Sequence, residues 1–218
     1  MATLNDYLGD VQDLVHDPDQ KYSSQAQKVA AINRGLRQRD QDTGANRHIF
    51  TVPLTPNQSS YTLTDVATLS GDPAGARIFD AVGITIIINA ARLVLGQMSF
   101  TKLQAGPRAF PNSHMYPVAF SKYSPNTFIL APTPGISYTT EWDCPIYSAP
   151  MVALTDDDPL IGLFAAPPPF YAAYWLMMNM RQFQEANFFL GEYNRTIQLC
   201  QSARLGSLPS AYTPVYGR

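Results

Sequence analysis

Residues 167–205, PPPFYAAYWLMMNMRQFQEANFFLGEYNRTIQLCQSARL, hold the densest apolar run in the chain. From Phe170 to Met180 only Asn179 interrupts it, so a helix here has no face to give to water and must be surrounded by protein. Pro169 suits a first helical turn, where no N–H is needed. From Ala186 the pattern changes. Ala186, Phe189, Leu190, Tyr193, Ile197 and Cys200 recur at helical spacing, with Asn187, Asn194, Arg195 and Gln198 on the other side. Run together, the two segments would make a rod of roughly 50 Å, longer than a small domain is wide. The change of phase therefore predicts a break near 182–185 and a helical hairpin that ends at Gly206.

A similar hairpin is predicted at the other end of the chain. Leu4, Tyr7, Leu8, Val11, Leu14 and Val15 form one stripe, with Asp6, Asp10 and Asp13 off it, and Thr3 with Asp6 makes a capping box. After a turn at HDPDQ, Ser24 and Gln27 cap a second helix whose inner face is Val29, Ile32, Asn33 and Leu36 and whose stop is Thr43–Gly44.

Between the hairpins the period drops to two. Phe50, Val52 and Leu54 alternate with Ile49, Thr51 and Pro53, TPNQSS turns the chain, and Tyr61 and Leu63 read as the start of a return strand, giving a hairpin. Gly71 to Arg77 reads as a polar loop. VGITIIIN at 82–89 is the clearest strand, with Arg92 to Leu95 as its partner. Ser99 caps a helical turn through Leu103, and 106–117 reads as irregular. Val118–Tyr123 and Thr127–Ala131 flank a Ser-Pro-Asn turn, and Ile136 to Cys144 alternate along a last strand. The fold class is thus α+β. A helical bundle is made from an N-terminal hairpin (1–46) and a C-terminal hairpin (156–206), with a β-rich lobe (47–155) inserted between them and a tail (207–218) beyond.

Composition narrows the function. Lys and Arg total 15 against 17 for Asp and Glu, a formal net charge of -2, so no overall field draws in nucleic acid. Charged residues are only 15% and aromatics 11%, which leaves an unusually uncharged surface suited to other protein chains. Two cysteines with no CxxC pair, Cys144 and Cys200, predict a reduced chain of intracellular origin. The first residues lack the basic start and apolar core of a signal peptide, and Phe170–Met180 is too short for a membrane span.

Chemistry-bearing clusters are few. Asp156, Asp157 and Asp158 offer oxygen ligands to a hard cation, but such a run more often is a solvated loop or favours a helix start. His16, His48 and His114 have no zinc-like spacing, and neither a nucleophile elbow nor a phosphate-cradling glycine loop is present. No enzyme, metal or cofactor is expected. Lys28, Arg34, Arg37, Arg39 and Arg47 form the one basic cluster, on the outer side of the second helix and just past it. It reads as a contact for a phosphate backbone or as a solvated face partnered by Asp40 and Asp42, the latter favoured. In the tail, Tyr212, Pro214 and Tyr216 lack partners within their own segment, and a disordered end usually carries fewer aromatics. The tail therefore reads either as an arm that orders on another chain or as an end packed on its own bundle or frayed.

TLNDYLGDVQDLVHDP, INRGLRQRDQDTG, LTPNQSSYTL, MSFTKLQAG, PVAFSKYSPNTFILAPTPGISYTTEWD and PPFYAAYWLMMNMRQFQEA, in that order, resemble the head-to-tail adaptor (connector) proteins of short-tailed, podovirus-type bacteriophages. The likeness runs from the N terminus to about Leu205. Gly35 departs from it, where a small helix-friendly residue is expected, as does the methionine-rich 176–180. The resemblance implies a structural virion protein of the neck, made in the host cytoplasm, forming a twelve-subunit ring that joins the portal protein to the tail nozzle and continues the DNA channel. Expected partners are the portal, the nozzle or tube protein, other copies of the chain and DNA in transit. Tyr212, Pro214, Tyr216 and Arg218 are the expected contacts to the portal or a neighbouring subunit, and Arg34, Arg37, Arg39 and Arg47 the expected channel contacts. The alternative is a small nucleic-acid-binding module that uses the same basic cluster.

Overall fold

A computed structural model describes residues 1–17, 22–104 and 116–207. The chain divides into two units. One draws on both ends, Met1–Asn46 and the stretch from Ser148 on, and the other is Arg47–Tyr147. Helical termini thus flank a β-rich centre, the expected α+β architecture.

In the first unit α1 (Leu4–Val15) and α2 (Gln25–Thr43) both begin at capping boxes. The Thr3 N–H donates to the Asp6 carboxylate at 2.8 Å while the Asp6 N–H donates to the Thr3 hydroxyl, and Ser24 and Gln27 do the same for α2. Each box satisfies two amides that a helix start leaves without partners. Gly44 ends α2 in a left-handed turn at φ 53°, which costs a glycine nothing. The apolar segment forms α5 (Pro167–Asn179), and α6 (Phe183–Ser207) follows. The break falls at Met180–Gln182, where Arg181 takes φ 62° and the Gln182 N–H donates to the Met177 carbonyl at 3.0 Å.

Helix α5 is the hub: α1, α2 and α6 all pack on it. Leu4, Val11, Ala31, Ile32, Ala172, Ala173 and Ala186 are fully buried in their shared core. Alanines on α5 and Gly35 on α2 let the helices approach closely. A Cβ on Gly35 would sit 2.6 Å from the Pro168 carbonyl oxygen, a distance real contacts do not show, so here the departure from a helix-friendly residue is a packing requirement. The segment after the β lobe belongs to this unit and does not close the lobe at 155. Met151 is 2% exposed in the helical core, and its N–H and carbonyl both bond the Asn33 amide, at 2.8 and 2.9 Å.

The second unit has two four-stranded sheets among the described residues, ordered β1-β8-β3-β4 and β2-β7-β6-β5. The strands are β1 (Arg47–Pro53), β2 (Ser60–Thr62), β3 (Gly83–Ile88), β4 (Ala91–Val94), β5 (Gly96–Gln97), β6 (Ala119–Ser124), β7 (Thr127–Ala131) and β8 (Thr139–Pro145). All pair antiparallel except β5 with β6. Phe50 and Trp142 from one sheet meet Tyr61, Phe120 and Phe128 from the other in a single core. The Trp142 and Phe128 rings meet edge to face at 5.7 Å.

Two expectations here are overturned. β1 does not form a hairpin with a strand containing Tyr61 and Leu63; it pairs with β8, while the three residues of β2 pair with β7. Leu63 opens a helix, α3 (Leu63–Ser70), on a Thr62–Asp65 capping box. The supposed polar loop contains a short 3-10 helix, Pro73–Arg77, packed on α3. The hairpins β3–β4 and β6–β7 and the short helix α4 (Phe100–Gln104) agree with the sequence reading. The last strand starts at Thr139, leaving Ile136 57% exposed.

Candidate interaction surface

The basic cluster separates into buried and exposed members. Arg39 is fully buried, contrary to its expected place on the outer side of α2 and in a DNA channel. Its guanidinium bonds Asp158 through two nitrogens, Asp40 at 2.9 and 3.1 Å, the Ser148 hydroxyl at 3.1 Å and the Phe164 carbonyl at 3.1 Å. Burial would depress this guanidinium, but the bonds and charges of Asp158 and Asp40 outweigh it and raise its pKa. Asp158 also accepts from the Tyr7 hydroxyl and the Leu160 N–H. Tyr7 is held neutral well above its usual range, first by burial and then by the Asp158 charge.

One buried constellation thus ties α1, α2 and the 148–164 segment together, and among the described residues every buried side-chain nitrogen and oxygen has a partner. Asp158 is therefore not part of a solvated loop or a helix start. Lys28 is buried as well, donating to the Asp17 carbonyl at 2.8 Å. What remains outside is Arg34, Arg37 and Arg47. The Arg34 guanidinium lies 4.1 Å from the centre of the Trp175 ring, and Arg47, in the β unit, donates to Asp143 at 2.8 Å.

The other two aspartates have different places: Asp156 closes a turn and Asp157 lies in a backbone bridge. Asp156 accepts from the Val152 and Ala153 N–H groups at 2.6 and 2.8 Å, bonds that lower its pKa, and Asp157 pairs with Thr3 through the backbone. Among the described residues no group of three or more His, Cys, Asp or Glu could hold a metal ion. Cys144 and Cys200 are buried free thiols, the former pushed up to about 12, chiefly by burial. No helix among the described residues is long and apolar enough to cross a membrane.

Among the described residues the helical unit carries several large apolar side chains that are exposed. Val152 is 80% exposed, Tyr22 74%, Phe188 and Ile161 63%, and Phe183 56%. Tyr22 and Phe188 border a groove of about 760 Å³ between the end of α1 and the α5–α6 turn. Leu14, Met177, Met180 and Phe189 give it apolar walls, and His16, Gln182, Gln184 and Glu185 give it polar groups. In the β unit Ile49 and Val94 are each 61% exposed, on the two edge strands of the first sheet. Scattered exposed apolar residues are ordinary, but a concentration of aromatics around a groove marks a surface for another chain. Sequence patterning did place the helix break that shapes this groove; it did not reveal the exposure of Phe188, which sits one step off the inner stripe. Tyr212, Pro214, Tyr216 and Arg218 lie outside the described residues.

Against known proteins, the model of the SU10 adaptor protein family matches residues 1–215. No curated protein matches the chain.

Proposed function

The chain belongs to the SU10 adaptor protein family, and from that premise we propose that twelve copies of this structural, non-enzymatic head-to-tail adaptor form a ring in the neck of the virion, joining the portal to the tail nozzle and continuing the DNA channel. The family match over nearly the whole chain is the observation that carries this reading. The exposed apolar residues of both units agree with it. At about 25 cal/mol per Å² of apolar surface removed from water, contacts repeated on two sides of every subunit hold a ring without covalent links.

In this reading the mechanism is mechanical. Subunits bind the portal after DNA packaging, order Tyr212, Pro214, Tyr216 and Arg218 there or on a neighbouring subunit, and present a new rim to the nozzle or tube protein. Ordering a segment costs free energy that only binding supplies, so assembly waits for the portal. Arg34, Arg37 and Arg47 remain the candidates for loose contact with DNA in transit. Arg39 is excluded by its burial.

The test is the copy number of this chain in purified particles, measured by quantitative mass spectrometry against the portal protein. Parity with the portal is expected. Absence from the particle would overturn the proposal, and steep salt-dependent DNA binding by the isolated chain would then favour the nucleic-acid-binding alternative.

A further inference from the structure

We propose that the groove between the end of α1 and the α5–α6 turn is a socket for the C-terminal segment of a second copy of this chain, with Tyr212 and Tyr216 seated in it. This rests on the ring reading above and adds to it the surface through which one copy grips the next.

The groove's volume, about 760 Å³, lies in the range of sites that enclose ligands of several side chains' bulk. Its chemistry matches a phenol. Met177, Met180, Phe188 and Phe189 offer thioethers and rings to an aromatic face, while His16, Gln182, Gln184 and Glu185 offer partners to a hydroxyl. A shallower concavity at Arg181–Glu185 shares three of these residues and extends the surface past Phe183.

The segment 208–218, LPSAYTPVYGR, supplies two tyrosines four positions apart. In an extended chain such residues point to the same side, roughly 13 Å from one another. Pro209 and Pro214 disfavour a helix and favour that extended form. Arg218 follows Tyr216 closely enough to meet Glu185, which is exposed at the groove.

Distance decides whose segment enters. Helix α6 carries the chain away from the groove, so Ser207 lies roughly 29 Å along the helix axis from Phe188. Five residues separate Ser207 from Tyr212 and span at most about 18 Å. A chain's own Tyr212 therefore falls short of its own groove; the nine residues to Tyr216 span at most about 32 Å, enough to bring that ring alone to Phe188, so both tyrosines are seated together only when the segment comes from another copy. The contact is heterologous: tail on one subunit, groove on the next. Repetition of such a contact closes a ring when the rotation between copies allows it.

The test uses the full chain carrying Tyr212→Ala and Tyr216→Ala, so that the segments of other copies in solution cannot compete, and a fluorescein-labelled peptide of residues 208–218. Fluorescence anisotropy is expected to show saturable binding that weakens about tenfold or more on adding Phe188→Glu, or separately Tyr22→Asp, and likewise when both peptide tyrosines are alanine. Both chain positions are more than half exposed, and thermal melts confirm that the variants fold. Failure of the peptide to bind, or binding indifferent to both groove substitutions, overturns the proposal. The same peptide binding only to purified portal also overturns it. Copy-number parity with the portal would in either case leave the ring reading standing. Groove-dependent binding without parity would uphold the socket and refute the ring.

Discussion

At the scale of single residues, Arg39 shows how little a charge's sequence neighbours say about its fate. It sits among Arg34, Arg37, Asp40 and Asp42 on one helix, yet its main partner, Asp158, is 119 residues away. The role of the pair is to hold α1, α2 and the 148–164 segment in one arrangement. Removing one member strands a buried charge, so Arg39→Ala is expected to cost about 3–5 kcal/mol in urea unfolding followed by circular dichroism; an unchanged midpoint would show that Arg39 lies at the surface. Asp156 acts differently. Its folded pKa is lowered from 3.8 by the Val152 and Ala153 amides, so its contribution to stability is present above 3.8 and is lost as pH falls through the lowered value. Asp156→Ala should therefore lower the urea midpoint near neutral pH, and the gap from the natural chain should close on acidification. A gap that persisted in acid would mean that the carboxylate charge is not what these amides hold.

Among elements, α5 decides the helical unit. With apolar residues nearly all round, it can serve as a hub for three other helices, and Gly35 of α2 packs directly against its first turn. Glycine inside a helix ordinarily costs about 1 kcal/mol relative to alanine. Here the sign reverses, because the added methyl would meet the Pro168 backbone at 2.6 Å and the two helices would have to separate. Gly35→Ala is expected to destabilise by about 1–3 kcal/mol, and a raised melting temperature would show that α2 yields more readily than the packing indicates. Capped helices were legible from their first residues, as at Thr3 and Ser24. The Thr62-Leu63-Thr64-Asp65 signal of α3 was equally present, but the alternation of Tyr61 and Leu63 concealed it.

For the whole molecule, the insertion of Arg47–Tyr147 between two helical termini means that neither terminus builds the helical core alone. Among the described residues the chain presents aromatic and aliphatic side chains to solvent in both units. Deleting residues 207–218 is expected to leave a folded chain by circular dichroism but to block its incorporation into particles. Normal incorporation of the shortened chain would remove the tail from assembly.

Periodicity and capping by themselves determined the helical termini, the β-rich insert and the turn between α5 and α6, because each of these depends on residues within a few positions of one another. The order of segments along the chain was enough to point to a family. Only the tertiary structure decided that β1 pairs with β8, that residues 148–155 join the helices, that Arg39 and Lys28 are interior, and that Phe188 borders a groove. Those outcomes turn on partners brought together from distant parts of the chain, where burial and hydrogen bonding choose among alternatives that local pattern leaves equal.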